Sequence, residues 1–265
     1  MKTKTSNTAV AVVGNYKFLI KHLNKFIFQL RQNGKFTDDL IVLTNYNVFT
    51  YVIQILIMFR YRNIKFLRFN NIVFSENAEK SLKNLDTGSE QNRHLYKNFQ
   101  WHKINLFDEK LKKWQFIFYI DINMIIHMDI NPILTQLPNN KLFARADGYP
   151  EYERIFLSQF DISNKDYDIL EKIYDMQYKE YFQSGILYYD TNLINSDTKK
   201  HIIDLVEKFP ISTTNEQAIF NLYFHFTLNV YEQLEIEFEN ILNYYYWMVE
   251  GKEVRITKQN RIKYK

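Results

Sequence analysis

Polar residues suited to ligand chemistry follow an apolar segment near the middle of the chain. Residues 114–120 (WQFIFYI) run directly into Asp121, Ile122 and Asn123. Side chains two residues apart on an extended chain point the same way, so Asp121 and Asn123 would present two oxygen atoms to one ligand. Ligands of open α/β sheets bind beyond the carboxyl ends of the strands, and a divalent cation held with a diphosphate is a common ligand of such oxygens. Taken alone, the tripeptide equally fits a turn that ends a strand.

Strands and helices alternate in the segments that must position these residues. Continuous apolar runs predict strands at 9–13 and 40–43, and alternation of apolar and polar residues predicts a strand at 63–69. Helices are predicted at 18–30, from the helical spacing of apolar residues, and at 48–59. This β-α-β-α-β order, with strands apolar on both faces, predicts an α/β fold with a parallel sheet covered by helices. Later segments predict strands at 114–120, 142–146 and 186–189, helices at 94–111, 132–137, 197–209 and 215–226, and an irregular region at 75–93.

Composition excludes several classes of protein. The 265 residues carry a net charge of +4 without a long run of Lys or Arg, which argues against a nucleic-acid partner. The absence of cysteine excludes a disulfide scaffold, a thiolate zinc site and a cysteine nucleophile. The 17% of aromatic residues accompanies many Asn, Ile and Lys, so it fits a composition bias as well as a stacking role.

Neither a signal peptide nor a membrane-spanning segment is predicted, and we expect a cytoplasmic protein. The most apolar stretch, residues 48–59 (VFTYVIQILIMF), is too short to span a bilayer. We interpret it as a buried helix, with an interfacial anchor as the alternative.

Six segments, taken together and in this order, resemble glycosyltransferase family 8, the glycogenin-like retaining enzymes. Each is short, but all lie between residue 9 and about residue 226 on the predicted frame. The segments are Gly14-Asn15-Tyr16 after the first strand, Trp101-His102-Lys103, Tyr119–Asn123 as the Asp-x-Asp segment, Ala144–Pro150 (ARADGYP), Phe182–Leu187 (FQSGIL) and Glu216-Gln217.

This resemblance implies a single GT-A (Rossmann-like) domain over residues 1–265. The residue pattern itself predicts a helical insert at 151–181 and a basic, aromatic tail at 244–265. It implies an enzyme of glycan biosynthesis that moves a hexose or related sugar from a UDP-sugar to an acceptor hydroxyl with retention, using Mn²⁺ or Mg²⁺. The acceptor (glycan, protein or lipid) stays open, and a homodimer is possible.

The resemblance also assigns residues. It implies catalytic roles for Lys103, Glu216 and Gln217, and metal binding by Asp121 and Asn123. Nucleotide-sugar binding is implied for Val13, Gly14, Asn15, Tyr16, Asp147, Ser184 and Gly185, with Tyr16 stacking on the base.

Departures from the family pattern leave alternatives. Asn123 stands where the family has Asp, and no segment after Glu232 supplies the histidine that serves there as a third metal ligand. Arg255, Lys258 and Arg261 would replace the metal charge or form a solvated basic tail, and we favour the tail. A catalytically impaired protein that binds nucleotide-sugar or glycan is therefore the alternative function. A nucleotidyltransferase ranks last because Gly14-Asn15-Tyr16-Lys17 lacks the Gly-rich loop with Arg that such an enzyme needs.

Overall fold

The computed structural model describes residues 7–85, 98–147, 154–259 and 262–263. Its strands are β1 (Thr8–Val13), β2 (Leu40–Asn45), β3 (Ile64–Phe69), β4 (Phe116–Ile120), β5 (Ile125–Ile126), β6 (Leu142–Ala146), β7 (Phe182–Asp190), β8 (Tyr231–Gln233), β9 (Glu237–Phe238), β10 (Ile241–Tyr245), β11 (Met248–Val249), β12 (Val254–Thr257) and β13 (Ile262–Lys263).

Helices connect most of the strands. The α-helices are α1 (Tyr16–Phe18, a π-helical Leu19–Leu23 and Asn24–Gln32 in continuous succession), α2 (Val48–Arg60), α3 (Glu76–Asn84), α4 (Asn131–Leu134), α5 (Tyr167–Leu170), α6 (Thr198–Lys208) and α7 (Glu216–Phe220, continued by the π-helical Asn221–Thr227). Short 3₁₀-helices span Asn98–Phe107, Glu109–Lys113, Phe156–Gln159 and Thr191–Leu193.

The central sheet has seven strands in the order β3-β2-β1-β4-β7-β6-β8. The first four strands are parallel, β7 is antiparallel to both β4 and β6, and β8 is parallel to β6. The mostly parallel α/β sheet that the sequence predicts is therefore confirmed. Because β4 is central and parallel to β1, the residues that follow both strands meet at one edge of the sheet.

Each face of the sheet has its own hydrophobic core. Along β1, Ala9 and Ala11 pack on the face covered by the 3₁₀ segment Asn98–Phe107, while Val10 and Val12 pack on the face covered by α1. This alternation follows from the two-residue period of a strand. It explains why both faces of the strands are apolar in the sequence.

A second sheet is built from segments distant in the sequence, in the order β5-β12-β10-β9. The antiparallel register of β12 and β5 pairs Ile256 with Ile126 and Thr257 with Ile125. The four residues of β12 are buried. The expected solvated tail is therefore wrong for this segment, because β12 is part of a sheet. Arg261 lies outside the described residues.

Helix α2 is helical as predicted, but it is not a buried helix. Its buried residues are Thr50 and Ile57, and most of its apolar side chains face outward. An apolar helical pattern identifies the helix without identifying what covers it. Within the described ranges, no helix combines the length and apolarity needed to cross a membrane.

Two further predictions of local structure were wrong. The polar region after residue 75 contains α3, which Ser75 caps by accepting a hydrogen bond from Ala78 N. The insert is mostly irregular over its described residues, 154–181, with one 3₁₀ turn and the four-residue α5. Residues 148–153 lie outside the described residues.

Candidate functional site

A buried ion cluster lies at the carboxyl end of β4. Asp121 follows the strand, and its Oδ1 atom accepts a hydrogen bond from the Tyr119 hydroxyl at 2.5 Å. Lys103 Nζ lies 3.0 Å from the same oxygen. Tyr119 and Asp121 are two residues apart, so the strand presents both side chains on the face where Lys103 lies.

Lys103 reaches the cluster from the 3₁₀ segment Asn98–Phe107. This segment makes three residues per turn, so Gln100 and Lys103 share one side and both line the cavity beside Asp121. The Lys103 ammonium lies 2.8 Å from Glu216 Oε1 and 3.4 Å from both Ser184 oxygens. One buried cation therefore joins residues from three separate parts of the chain.

Glu216 lies at the first turn of α7 and is 2% exposed. Its Oε1 atom also accepts a hydrogen bond of 2.8 Å from the Ser184 hydroxyl. Its Oε2 atom is buried and has no hydrogen-bond partner among the described residues. A buried carboxylate oxygen without a donor is costly.

Opposing charges set the protonation states in the cluster. Burial alone would lower the pKa of Lys103, but Asp121 and Glu216 outweigh burial and hold that pKa above its ordinary value. Burial alone would raise the pKa of Asp121, but Lys103 and Lys258 outweigh it and hold that pKa well below its ordinary range. Both groups therefore stay charged at neutral pH.

A hydrogen-bonded chain of polar side chains extends the cluster towards the insert. Gln217 accepts from Ser184 N at 3.1 Å, and its Nε2 donates to Gln159 Oε1 at 2.8 Å and to Asp147 Oδ2 at 3.3 Å. Burial raises the pKa of Asp147, although Arg154 lies 3.8 Å away. Gln159 was not predicted, because a glutamine in the insert carries no motif of its own.

Gly185 lies next to the cluster at a point where only a glycine fits. A Cβ atom at this position would lie 2.6 Å from Met124 Cε and 3.6 Å from Asp121 Oδ2. The backbone of β7 can therefore approach the loop after β4 closely, and Asp121 N donates to Gly185 O at 2.9 Å.

Two adjoining cavities lead away from the cluster. A cavity of about 200 Å³ is lined by Val13, Gly14, Lys103, Asp121, Asn123 and Lys258. A second cavity of about 330 Å³ is lined by Asn15 and Tyr16, together with residues that follow β2 and β3. Phe99 lines both, so the two cavities adjoin.

Asn15 and Tyr16, which the sequence assigns to nucleotide-sugar binding, line the larger cavity and also contact other parts of the protein. Asn15 Oδ1 accepts from Phe18 N at 3.0 Å and so caps helix α1. The Tyr16 ring stacks on Phe49 with a centroid distance of 5.2 Å. The structure thus places Asn15 and Tyr16 beside the ion cluster rather than in it.

Lys258 occupies the position between the two predicted metal ligands. Its Nζ atom lies 2.6 Å from Asp121 Oδ2 and 2.8 Å from Asn123 Oδ1. The sequence had suggested Lys258 among the residues of a solvated tail, and the structure corrects that preference. Arg255 lies elsewhere, because it donates to Asp129 O at 2.8 Å.

The residues present do not fit a divalent cation. Both Asp121 oxygens already accept from cationic groups, Lys103 and Lys258. The other predicted ligand, Asn123, is an uncharged amide, whereas Mn²⁺ and Mg²⁺ favour carboxylate-rich oxygen ligands. Over the described ranges, no cluster of three or more His, Cys, Asp and Glu side chains could add ligands.

Comparison with known proteins identifies the fold. The sequence matches no family model, and no curated protein is significantly similar to it. The structure resembles galactosyltransferase LgtC in complex with donor and acceptor sugar analogs (TM-score 0.53, 15% identity, 82% of this chain and 70% of that chain). It also resembles mannosyltransferase Ktr4p from S. cerevisiae (0.55, 13%, 83% and 66%) and mouse xyloside xylosyltransferase 1 (0.52, 11%, 96% and 97%). The chain therefore has the GT-A fold of these glycosyltransferases.

Proposed function

We propose that this protein is a glycosyltransferase that moves a hexose or related sugar from a UDP-sugar to an acceptor hydroxyl, with retention as in family 8. The observation that carries the proposal is the buried Lys103–Asp121–Glu216 cluster at the end of the two cavities. The fold shared with galactosyl-, mannosyl- and xylosyltransferases supports it, and Ktr4p is also known in complex with GDP.

The two cavities match the two halves of such a sugar donor. The larger cavity takes the nucleoside, with Asn15 and Tyr16 at the base. The smaller cavity takes the diphosphate beside Val13 and Gly14. This order places the sugar beyond Asp121, where the cluster continues to Ser184, Glu216 and Gln217.

The reaction separates charge, and the cluster supplies the compensation. The bond between the anomeric carbon and the diphosphate oxygen breaks, and its electron pair goes to the diphosphate. The acceptor oxygen bonds to the anomeric carbon, and the hydroxyl proton ends on the released diphosphate. The Lys103 ammonium stabilises the leaving group, and the Glu216 carboxylate stabilises positive charge on the sugar.

The remaining polar residues hold the sugar. Asp147, Ser184 and Gln217 accept or donate hydrogen bonds to its hydroxyls. Gly185 contributes to the sugar pocket by letting β7 and the loop that contains Asp121 approach each other closely. The irregular insert faces this end of the site through Gln159, which makes it the part of the chain that would contact the acceptor.

Release of nucleoside diphosphate from a panel of UDP- and GDP-sugars, with and without simple sugar acceptors, tests the proposal. We expect turnover of at least one UDP-sugar, and a loss of about 100-fold or more in Glu216→Gln, because one group placed against transition-state charge is worth that much. Glu109→Gln, at an exposed glutamate away from the site, is the matched control. Tight UDP binding without turnover of any sugar donor would favour a binding protein over an enzyme.

A further inference from the structure

The position of Lys258 has a consequence for how a diphosphate is held. We propose that the Lys258 ammonium is the built-in cation of the sugar-donor site and binds the diphosphate in place of a divalent metal. This inference rests on the proposed function and specifies how that site recognises its ligand.

The chain places Lys258 firmly at this position. β12 pairs with β5, and β5 begins two residues after Asn123. Lys258 directly follows Thr257, the last residue of β12, so it must lie beside the loop that contains Asp121. Thr257 is fully buried, and its hydroxyl lies 2.9 Å from His127 Nε2. Lys258 is therefore anchored by a sheet rather than carried on a free tail.

The charges of the site support the same conclusion. Lys103 and Lys258 together balance Asp121 and Glu216, and Asn123 adds no charge. Compared with a site that has Asp at position 123 and a neutral residue at 258, this site is more positive by two elementary charges. That difference equals the charge of one Mn²⁺ or Mg²⁺ ion, so the two residues together replace its electrostatic effect.

Lys258 is also accessible to a ligand in the smaller cavity. Lys258 lines the same cavity as Val13 and Gly14, the proposed diphosphate position. Its side chain is 23% exposed, so the ammonium contacts Asp121 and Asn123 on one side and leaves protons for a phosphate oxygen on the other.

Calorimetric titration with uridine diphosphate in EDTA and in Mn²⁺ tests this assignment. We expect equal affinity in both buffers, and about a 10- to 100-fold loss in Lys258→Met, the usual effect of a hydrogen bond to a charged group. Lys258→Arg should restore part of the affinity. The matched control, Lys252→Met, removes an exposed lysine of the same segment that pairs with Glu237, and should bind normally.

Each outcome distinguishes this inference from the proposed function. Binding that requires Mn²⁺ and disappears in EDTA would overturn the role of Lys258 and leave the glycosyltransferase proposal standing. Failure of uridine diphosphate and other nucleoside diphosphates to bind in either buffer would overturn both. The wild-type comparison needs no variant, so it holds even if Lys258→Met fails to fold.

Helix α2 has an apolar outer face that is exposed to solvent. Thr50 and Ile57 lie seven residues apart and mark the buried face. Phe59, on the opposite face, is 85% exposed. The other exposed apolar residues of the helix are Val48, Phe49, Tyr51, Val52, Ile55, Leu56 and Met58.

Basic residues border this face. Helix α1 lies alongside α2, since Tyr61 donates to Asn24 at 2.8 Å, and α1 exposes Lys17, Lys21 and Lys25 at a four-residue spacing. Residues 7–75 contain nine Lys and Arg but two Asp and no Glu. The apolar face thus lies in the strongly basic part of the chain.

We infer that α2 docks on the surface of an anionic lipid bilayer, with its apolar face in the headgroup region and the α1 lysines on the lipid phosphates. A second copy of this chain is the less favourable occupant. Two such faces docked together would bring their basic residues close to one another, and residues 7–75 contain two acids, Asp38 and Asp39, against nine Lys and Arg.

Sedimentation with vesicles of phosphatidylcholine, with and without phosphatidylglycerol, tests this surface. We expect binding that requires phosphatidylglycerol, weakens with salt, and falls about tenfold or more in the double variant Leu56→Gln/Phe59→Gln. Ile162→Gln, at an exposed apolar residue of the insert, is the matched control and should bind normally. Absence of vesicle binding, or a dimer by light scattering that the double variant dissociates, would overturn the inference.

Discussion

Replacing Lys103 by Met should destabilise the fold strongly, because this ammonium is shared by two buried carboxylates. Asp121 would keep Lys258 at 2.6 Å and the Tyr119 hydroxyl. Glu216 would keep the Ser184 hydroxyl on one oxygen and have no described partner on the other. Removing one partner of a buried ion pair costs about 3–5 kcal/mol. Here most of that cost arises because Glu216 is left as an uncompensated buried charge.

Urea unfolding at pH 7.5, monitored by tryptophan fluorescence, would measure this loss of stability. Lys200→Met is the control: it removes an exposed ion pair and should leave the free energy of unfolding unchanged. The double variant Lys103→Met/Glu216→Gln removes the unpaired charge, so it should recover about 1–3 kcal/mol relative to the sum of the single variants. Wild-type stability of Lys103→Met, or strictly additive effects, would refute the cluster as described.

Three further predictions concern buried or helix-capping side chains, and urea unfolding checks each. Burial lowers the pKa of His102 to about 4, so the folded protein keeps this histidine neutral at pH values where the unfolded chain already protonates it. The free energy of unfolding should therefore fall by about 3 kcal/mol as the pH drops from 6.5 towards 4. His102→Gln should remove this pH dependence, and the same pH dependence in the variant as in the wild type would contradict the prediction. Tyr189→Phe removes a buried hydroxyl that donates to Leu106 O, and should lower the free energy of unfolding by about 1–3 kcal/mol. Unchanged stability would show that this hydrogen bond is absent. Asn15→Ala removes the cap of α1 and should cost about 1 kcal/mol, whereas Asn15→Ser should keep the stability; equal losses would argue against the cap.

Much of the fold could be predicted because buried parallel strands have a recognisable pattern. β1, β2 and β4 are apolar on both faces, and the helices between them repeat apolar residues at helical spacing. The antiparallel direction of β7 was not predictable, because an apolar run has the same pattern in either direction. The exposed face of α2 was missed for a related reason, since apolar spacing does not say whether protein, lipid or water covers the helix.

The site was predictable in part, through motifs whose order matched the family pattern. The structure brings Lys103, Asp121, Ser184 and Glu216 together, although they are spread over more than one hundred residues of sequence. Their roles stay predictions. The contact of Lys258 with Asp121 depends on the pairing of two very short strands, β5 and β12, and no local pattern encodes that pairing.

A crystal structure of the protein with bound uridine diphosphate, grown without divalent metal, is the decisive measurement for the sugar-donor site. We expect the base beside Tyr16 in the larger cavity and the phosphate oxygens within hydrogen-bonding distance of Lys258. Nucleotide bound elsewhere, with no contact to the loop after β4, would show that this loop is not the diphosphate site.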